Sequence, residues 1–253
     1  MKNAIKDSFG INLTVMRALC LYPKEKQTVL WKIQGYIMYF VCIVLVSFLI
    51  VINLILEHLD VSQINNNVIY AAEIVSWITK LLPFLRNGQQ IKMCIHFFED
   101  SCFTAFKEEE QKRIINECTR ICRRNSLAFL GVVIIALTCC LTAPLFMKEP
   151  RFPFDLWLPF DATGPEIYYS VYIFFSLTIL YAALCGASID PLIAGLACHA
   201  TAQLKILKYN LEHIGRNDGI WTNSNSSYVD AKKREILYNK IKKCVDHHNA
   251  ILT

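Results

Sequence analysis

Charge is missing from three long stretches of this sequence. No charged side chain occurs in residues 33–56, 125–147 or 167–189. Each stretch exceeds the about 20 residues that cross ~30 Å of hydrocarbon at ~1.5 Å per residue. Charge is also scarce overall, at 19% of residues, against about 25% in soluble globular domains. Apolar residues reach 54% and mean hydropathy is +0.34. These absences argue against a soluble fold and predict an all-α integral membrane bundle. No small-residue cleavage site closely follows the first stretch, so it reads as a span and not as a secretory leader.

Basic residues are missing in a pattern. None occurs in residues 57–67, and residues 148–166 hold only Lys148 and Arg151. The flanking segments 1–32, 86–124 and 190–253 are rich in Lys and Arg. Four spans reproduce this alternation under the positive-inside rule, with the N-terminus cytoplasmic. The second span is then residues 68–85, which carry Glu73 and Lys80. Each charge costs about 2.5–3.5 kcal/mol at the centre of a lipid-facing helix, so both are expected to face a bundle interior or lie near the headgroups. The predicted order is a cytoplasmic segment 1–32, span 33–56, span 68–85, a cytoplasmic connection 86–124, span 125–147, an outside loop 148–166, span 167–189 and a cytoplasmic helical region 190–253. The formal charge of +5 is spread over the three cytoplasmic segments, which gives no concentrated basic face for nucleic acid.

Cysteine is missing from both predicted outside loops, although the chain has eleven. This excludes an extracellular disulfide framework within these residues. Internal repeats and low-complexity segments are also lacking. Phe106, Ile114, Ile115, Cys118 and Ile121 are near helical spacing, which predicts a helix continuous with a neighbouring span. Residues 215–230 read as a loop, and a further helix is predicted from about Asp230.

Sets of catalytic groups are lacking too. Asp246, His247, His248 and Asn249 resemble part of a palmitoyltransferase core, but Asn249 stands where the nucleophilic Cys belongs. The remaining histidines do not pair at the helical spacing of an iron-binding desaturase. The Asp246–Asn249 run is read as a polar helix face. Cys118 and Cys122, at i and i+4, are read as helix packing and not as a metal site. No enzymatic activity, cofactor or metal is expected. The sequons at Asn12 and Asn225 fall on the cytoplasmic side and are expected to stay unglycosylated.

What remains is a set of aromatic and hydroxyl side chains in the outer halves of the later spans. Tyr70 and Trp77 share a face of the second, Thr138 and Thr142 a face of the third, and Tyr172 and Phe175 a face of the fourth, beside Ser176. An apolar pocket with a few hydroxyls suits a small, mostly hydrophobic ligand. An interfacial aromatic belt or ordinary helix packing is the alternative for any one of them. On the cytoplasmic side, His199 and Gln203 lie one turn apart, placed to bond each other or a neighbouring helix.

Two longer motifs carry a resemblance. Residues 152–161 read FPFDLWLPFD, followed by Pro165 and by Tyr168-Tyr169 entering the fourth span. Residues 188–214 include Asp190, His199 and Gln203 in SIDPLIAGLACHATAQLKILKYNLEHI. A weaker match is IKKCVDHHNAIL near residue 250. Together these resemble the insect odorant receptor family. The resemblance implies a seven-span subunit of an odorant-gated cation channel, with small apolar odorants held in the outer halves of the spans. It implies a partner co-receptor subunit in a tetrameric hetero-oligomer, in the plasma membrane of olfactory sensory neurons. It also implies that Asp190, His199 and Gln203 belong to a cytoplasmic anchor where subunits meet. Only four spans of the seven are present, so the chain is expected to be the N-terminal portion of a receptor, without the pore helix. A gustatory receptor, or a four-span enzyme or scaffold, is the alternative.

Overall fold

The computed structural model describes residues 4–23, 29–56, 61–99, 101–104, 108–146, 152, 157–160, 164–214 and 227–252. Among them the regular structure is helical throughout. Helix α1 spans Ala4–Ala18. Helices α2 (Val29–Tyr39) and α3 (Val46–Leu56) are joined by a π-helical segment, Phe40–Leu45. Then come α4 (Val61–Phe97), the single turn α5 (Ser101–Thr104), α6 (Glu109–Thr142), α7 (Pro165–Glu212) and α8 (Ser227–Leu252).

Three of these helical stretches are long and apolar enough to cross a membrane: Val29–Leu56, Glu109–Thr142 and Pro165–Glu212. They contain the first and fourth predicted spans and residues 125–142 of the third, which runs on into a 3-10 turn, Ala143–Phe146. The second predicted span lies inside α4, a 37-residue helix whose length of ~55 Å at ~1.5 Å per residue exceeds the hydrocarbon thickness. Large apolar side chains stay exposed on these elements, among them Phe48, Ile55, Val132, Ile135, Ile173 and Leu177. In water such a surface would be a liability, whereas against lipid tails it is the ordinary outer face of a span. The predicted continuation into the third span is present for Ile114–Ile121, because α6 begins at Glu109 and runs unbroken to Thr142, whereas Phe106 lies outside the described residues. The helix predicted from Asp230 begins three residues earlier, at Ser227. Most of residues 215–230 lie outside the described set.

The chain divides into two units. The larger is made of residues 10–93 and 124–192. Its core includes Met16, Leu21, Val46, Ile50, Leu81, Phe175 and Ile189. Helix α1 is closed here by a left-handed residue, Cys20 (φ 60°), with Leu21 N–H donating to Met16 O at 2.8 Å. A residue with a Cβ rarely adopts that conformation, and close packing holds it. Gly35 of α2 approaches so near that a Cβ there would lie 3.0 Å from Cys20 O. Pro83 lies within α4, and four residues on Asn87 has non-helical φ/ψ of −112° and 25°. Asn12 is buried and its Nδ2 donates to Ser188 O at 3.2 Å.

The smaller unit is made of residues 1–9, 94–123 and 193–253. Ile115, Cys118, Cys122, Ala202 and Ile206 form its apolar core. The first turn of α6 carries Glu109 and Glu110, which suit the positive end of a helix dipole. The stripe on α7 faces inward: His199, Gln203 and Ile206 are each about 2% exposed.

Candidate functional site

The larger unit contains a cavity of about 430 Å3 between α4, α6 and α7. Trp77 of α4, Val133 and Leu137 of α6, and Ala183 and Ala187 of α7 give it an apolar lining. Glu73, Lys80 and Asp190 add charge to the wall. Gly186 lets the wall form, because a Cβ there would sit 2.0 Å from a ring carbon of Trp77. The indole therefore lies directly on the α7 backbone. Lys80 Nζ stands 5.5 Å from the Trp77 ring centroid, within cation–π range. The same Nζ donates to both carboxylate oxygens of Asp190 at 3.2 Å. The charge on α4 is thus matched by α7, and Glu73 is not its partner. A smaller recess lined by Cys20, Trp31, Lys32 and Arg86 has about 40 Å3, room for little more than one water.

The sequence-predicted pocket residues are only partly brought together. Trp77 lines the cavity. Tyr70 lies on α4, with its side chain outside the described set. Thr138 and Thr142 are exposed, and their hydroxyls donate back to Ile134 O and Thr138 O at 2.8 and 2.7 Å. Tyr172 is buried and its hydroxyl donates to Leu141 O. Phe175 is 1% exposed and Ser176 Oγ donates to Tyr172 O at 2.8 Å. This aromatic face packs inward. Phe152, from the loop before α7, joins it edge-on to Phe175 at 5.5 Å and lies 5.1 Å from Tyr168. Trp157 is half-buried, whereas Phe160 is half exposed. Sequence reasoning missed Phe152, Gly186 and the Lys80–Asp190 pair. The one available signal was the run of small residues near Gly186 on α7, which allows close helix approach.

In the smaller unit a buried polar node gathers side chains from distant parts of the chain. Ser8 Oγ and His199 Nε2 are hydrogen-bonded at 2.9 Å. Gln203 Nε2 donates to Phe103 O at 3.3 Å, and its Oε1 accepts from His247 Nε2 at 3.2 Å. Gln111 Nε2 donates to Asn210 Oδ1 at 2.6 Å. His199 and Gln203 thus bond neighbouring elements and not each other. His247, placed on a polar face by the sequence reading, is 8% exposed and meets Phe103 edge-on at 5.5 Å. Burial lowers its pKa from the ordinary 6.5. Asp190, grouped with His199 and Gln203 by the resemblance, belongs to the larger unit with Lys80.

Cys118 and Cys122 lie beside His199, with their ligating atoms all within 4.8 Å of one another. The Cys118 thiol also donates to Cys198 Sγ at 3.2 Å. Hydrogen bonding between Cys118 and Cys122 pulls Cys122 below the usual thiol range and pushes Cys118 above it. His199 adds to the lowering at Cys122.

A family model described as 7tm Odorant receptor matches residues 60–253. The chain belongs to this odorant receptor family. It is a family of receptors and not of enzymes, and its members are multi-pass membrane proteins. Several solved structures share the fold, among them two of one receptor. The insect olfactory receptor OR5 from Machilis hrabei aligns with a TM-score of 0.76 at 14% identity, over 96% of this chain and 61% of that one. The same receptor in complex with eugenol aligns with a TM-score of 0.72 at 13% identity, over 99% and 67%. At such identities the likeness is one of fold. In this odorant receptor polar side chains converge at the α4–α6–α7 cavity and at the α6–α7–α8 polar node.

Proposed function

We propose that this odorant receptor chain is the odorant-sensing part of a ligand-gated cation channel subunit. The observation that carries the reading is the cavity of about 430 Å3 with Trp77 on its wall. Small-molecule sites commonly occupy about 300–1,000 Å3 and are mostly apolar with a few polar groups. Here the ring of Trp77 offers the flat apolar contact, and Lys80, Asp190 and Glu73 offer polar ones. A small apolar odorant with one oxygen function fits that chemistry. Tyr70, Thr138, Thr142, Tyr172, Phe175 and Ser176 are proposed to shape the site from the outer side.

In this reading the chain crosses the plasma membrane of an olfactory sensory neuron four times, with a cytoplasmic N-terminus. The longer relatives of this fold leave length for further spans, and the pore is assigned to them. Partner subunits, including a shared co-receptor, complete a tetramer. Odorant binds the open state more tightly and so biases an existing closed–open equilibrium. Asp190, His199 and Gln203 hold the cytoplasmic ends of the helices in the assembly.

The test is a calcium-flux screen in cells that make the receptor with the co-receptor, against a panel of volatile phenols, esters and alcohols. A response to one class that is lost in Trp77→Ala at unchanged surface expression supports the reading. An unaltered response in Trp77→Ala sinks it.

A further inference from the structure

We propose that Cys118, Cys122 and His199 bind a zinc ion, beside Cys198. Two helices bring the groups together: Cys118 and Cys122 from α6, Cys198 and His199 from α7. The i, i+4 spacing puts both α6 thiols on one face, and a gap of three residues lies within the range of structural zinc motifs. The distances suit the ion. Zinc–sulfur bonds of about 2.3 Å in a tetrahedron place two sulfurs about 3.8 Å apart. Cys118 Sγ and Cys122 Sγ are 3.9 Å apart. Cys198 Sγ lies 3.2 Å from Cys118 Sγ, beside the three ligating atoms but outside the group they form.

Three further observations favour a metal over thiol packing. Cys118, Cys122 and His199 are 4%, 4% and 2% exposed, so the ion would be shielded from water as structural sites are. The imidazole has a second partner, since Ser8 Oγ holds Nε2 at 2.9 Å. With Nε2 as the N–H, the lone pair stands on Nδ1, and a hydrogen bond to the distal nitrogen is the usual support of a zinc-bound histidine. Phe9 and Phe98 flank the ring, at centroid distances of 5.4 and 6.2 Å, and fix its plane. The donor set, thiolates with one imidazole, selects zinc over calcium or magnesium. On binding, each ligating thiol gives its proton to solvent and the sulfur lone pair to the ion, so uptake releases protons.

The experiment uses the full receptor in detergent micelles, stripped with a chelator and titrated first with Co2+ and then with Zn2+. The expected result is saturation at one equivalent per chain, visible absorption of tetrahedral cobalt–thiolate, and its loss on adding zinc. The bands should vanish in Cys122→Ser and persist in Cys94→Ser, an exposed cysteine elsewhere. Thiol alkylation followed by mass spectrometry gives a second readout on the unmutated protein: zinc should protect Cys118 and Cys122 while leaving Cys94 reactive. Absence of saturable cobalt uptake, or zinc that leaves Cys118 and Cys122 as reactive as before, overturns the proposal.

Discussion

A Cβ on Gly186 would lie 2.0 Å from the Cη2 carbon of Trp77, so the indole fills the space that a side chain at 186 would need. The two positions are one packing decision made on α4 and α7. Gly186→Ala should displace the indole and lower stability by about 1–3 kcal/mol, as overpacking does. Trp77→Ala alone should enlarge the cavity. The double variant should recover the surface expression lost in Gly186→Ala, because the obstacle is gone. Flow cytometry of surface-labelled receptor reads this out, and equal defects in the single and double variants would show that the contact is unimportant.

Lys80 and Asp190 bridge α4 and α7 with both carboxylate oxygens engaged. An unpaired charge at the end of a span costs less than the about 2.5–3.5 kcal/mol of the bilayer centre, but still opposes insertion. Asp190→Ala and Lys80→Ala should each reduce the amount of receptor reaching the surface. Exchanging the residues, Lys80→Asp with Asp190→Lys, should restore a substantial part. Surface biotinylation decides it, with no recovery in the exchanged pair as the adverse result.

Gln203 links Phe103 O to His247. Burial depresses the His247 pKa, so the neutral imidazole is the folded form. The unfolded chain, with a pKa near 6.5, then binds more protons than the folded one just below that value. The stability from this group is complete above about 6.5 and is lost as pH falls towards the lower folded value. Thermal unfolding in detergent should show that acid sensitivity reduced in His247→Gln. Gln203→Ala strands the Phe103 carbonyl and the imidazole, at a cost of about 1–3 kcal/mol. Identical pH profiles for wild type and His247→Gln would contradict this account.

Asn12 begins a glycosylation sequon, yet its side chain is 2% exposed and donates to Ser188 O. Glycosidase treatment of receptor from cells should leave position 12 unchanged, and Asn12→Ala should destabilise through the lost bond. A glycopeptide containing Asn12 would be incompatible with the packing of α1.

Three helices of membrane length were legible because absence of charge over twenty-odd residues is a local property, and so was the run of α6 beyond its apolar stretch. The cavity was not, because its wall depends on pairs 109 and 110 positions apart, Trp77 with Gly186 and Lys80 with Asp190. Tyr172 and Phe175 show a different limit. An aromatic face reads the same in sequence whether it lines a space or packs against Phe152. The helical spacing of Cys118 and Cys122 was visible, but the adjacent Cys198 and His199 join them only through the packing of α6 on α7. Burial of His247 depends on Phe103, far away in the chain.

The π-helical segment Phe40–Leu45 sets a phase between α2 and α3. Beyond it, Val46, Ile50 and Asn53 are buried; before it, Tyr39 reaches Ile78 O at 3.3 Å. Closing the wide turn into plain α-helix at constant length would rotate one half against the other by about 100°. The first span therefore works as two half-cylinders with an angular offset, and its insertion into lipid and its grip on α4 are specified by separate faces.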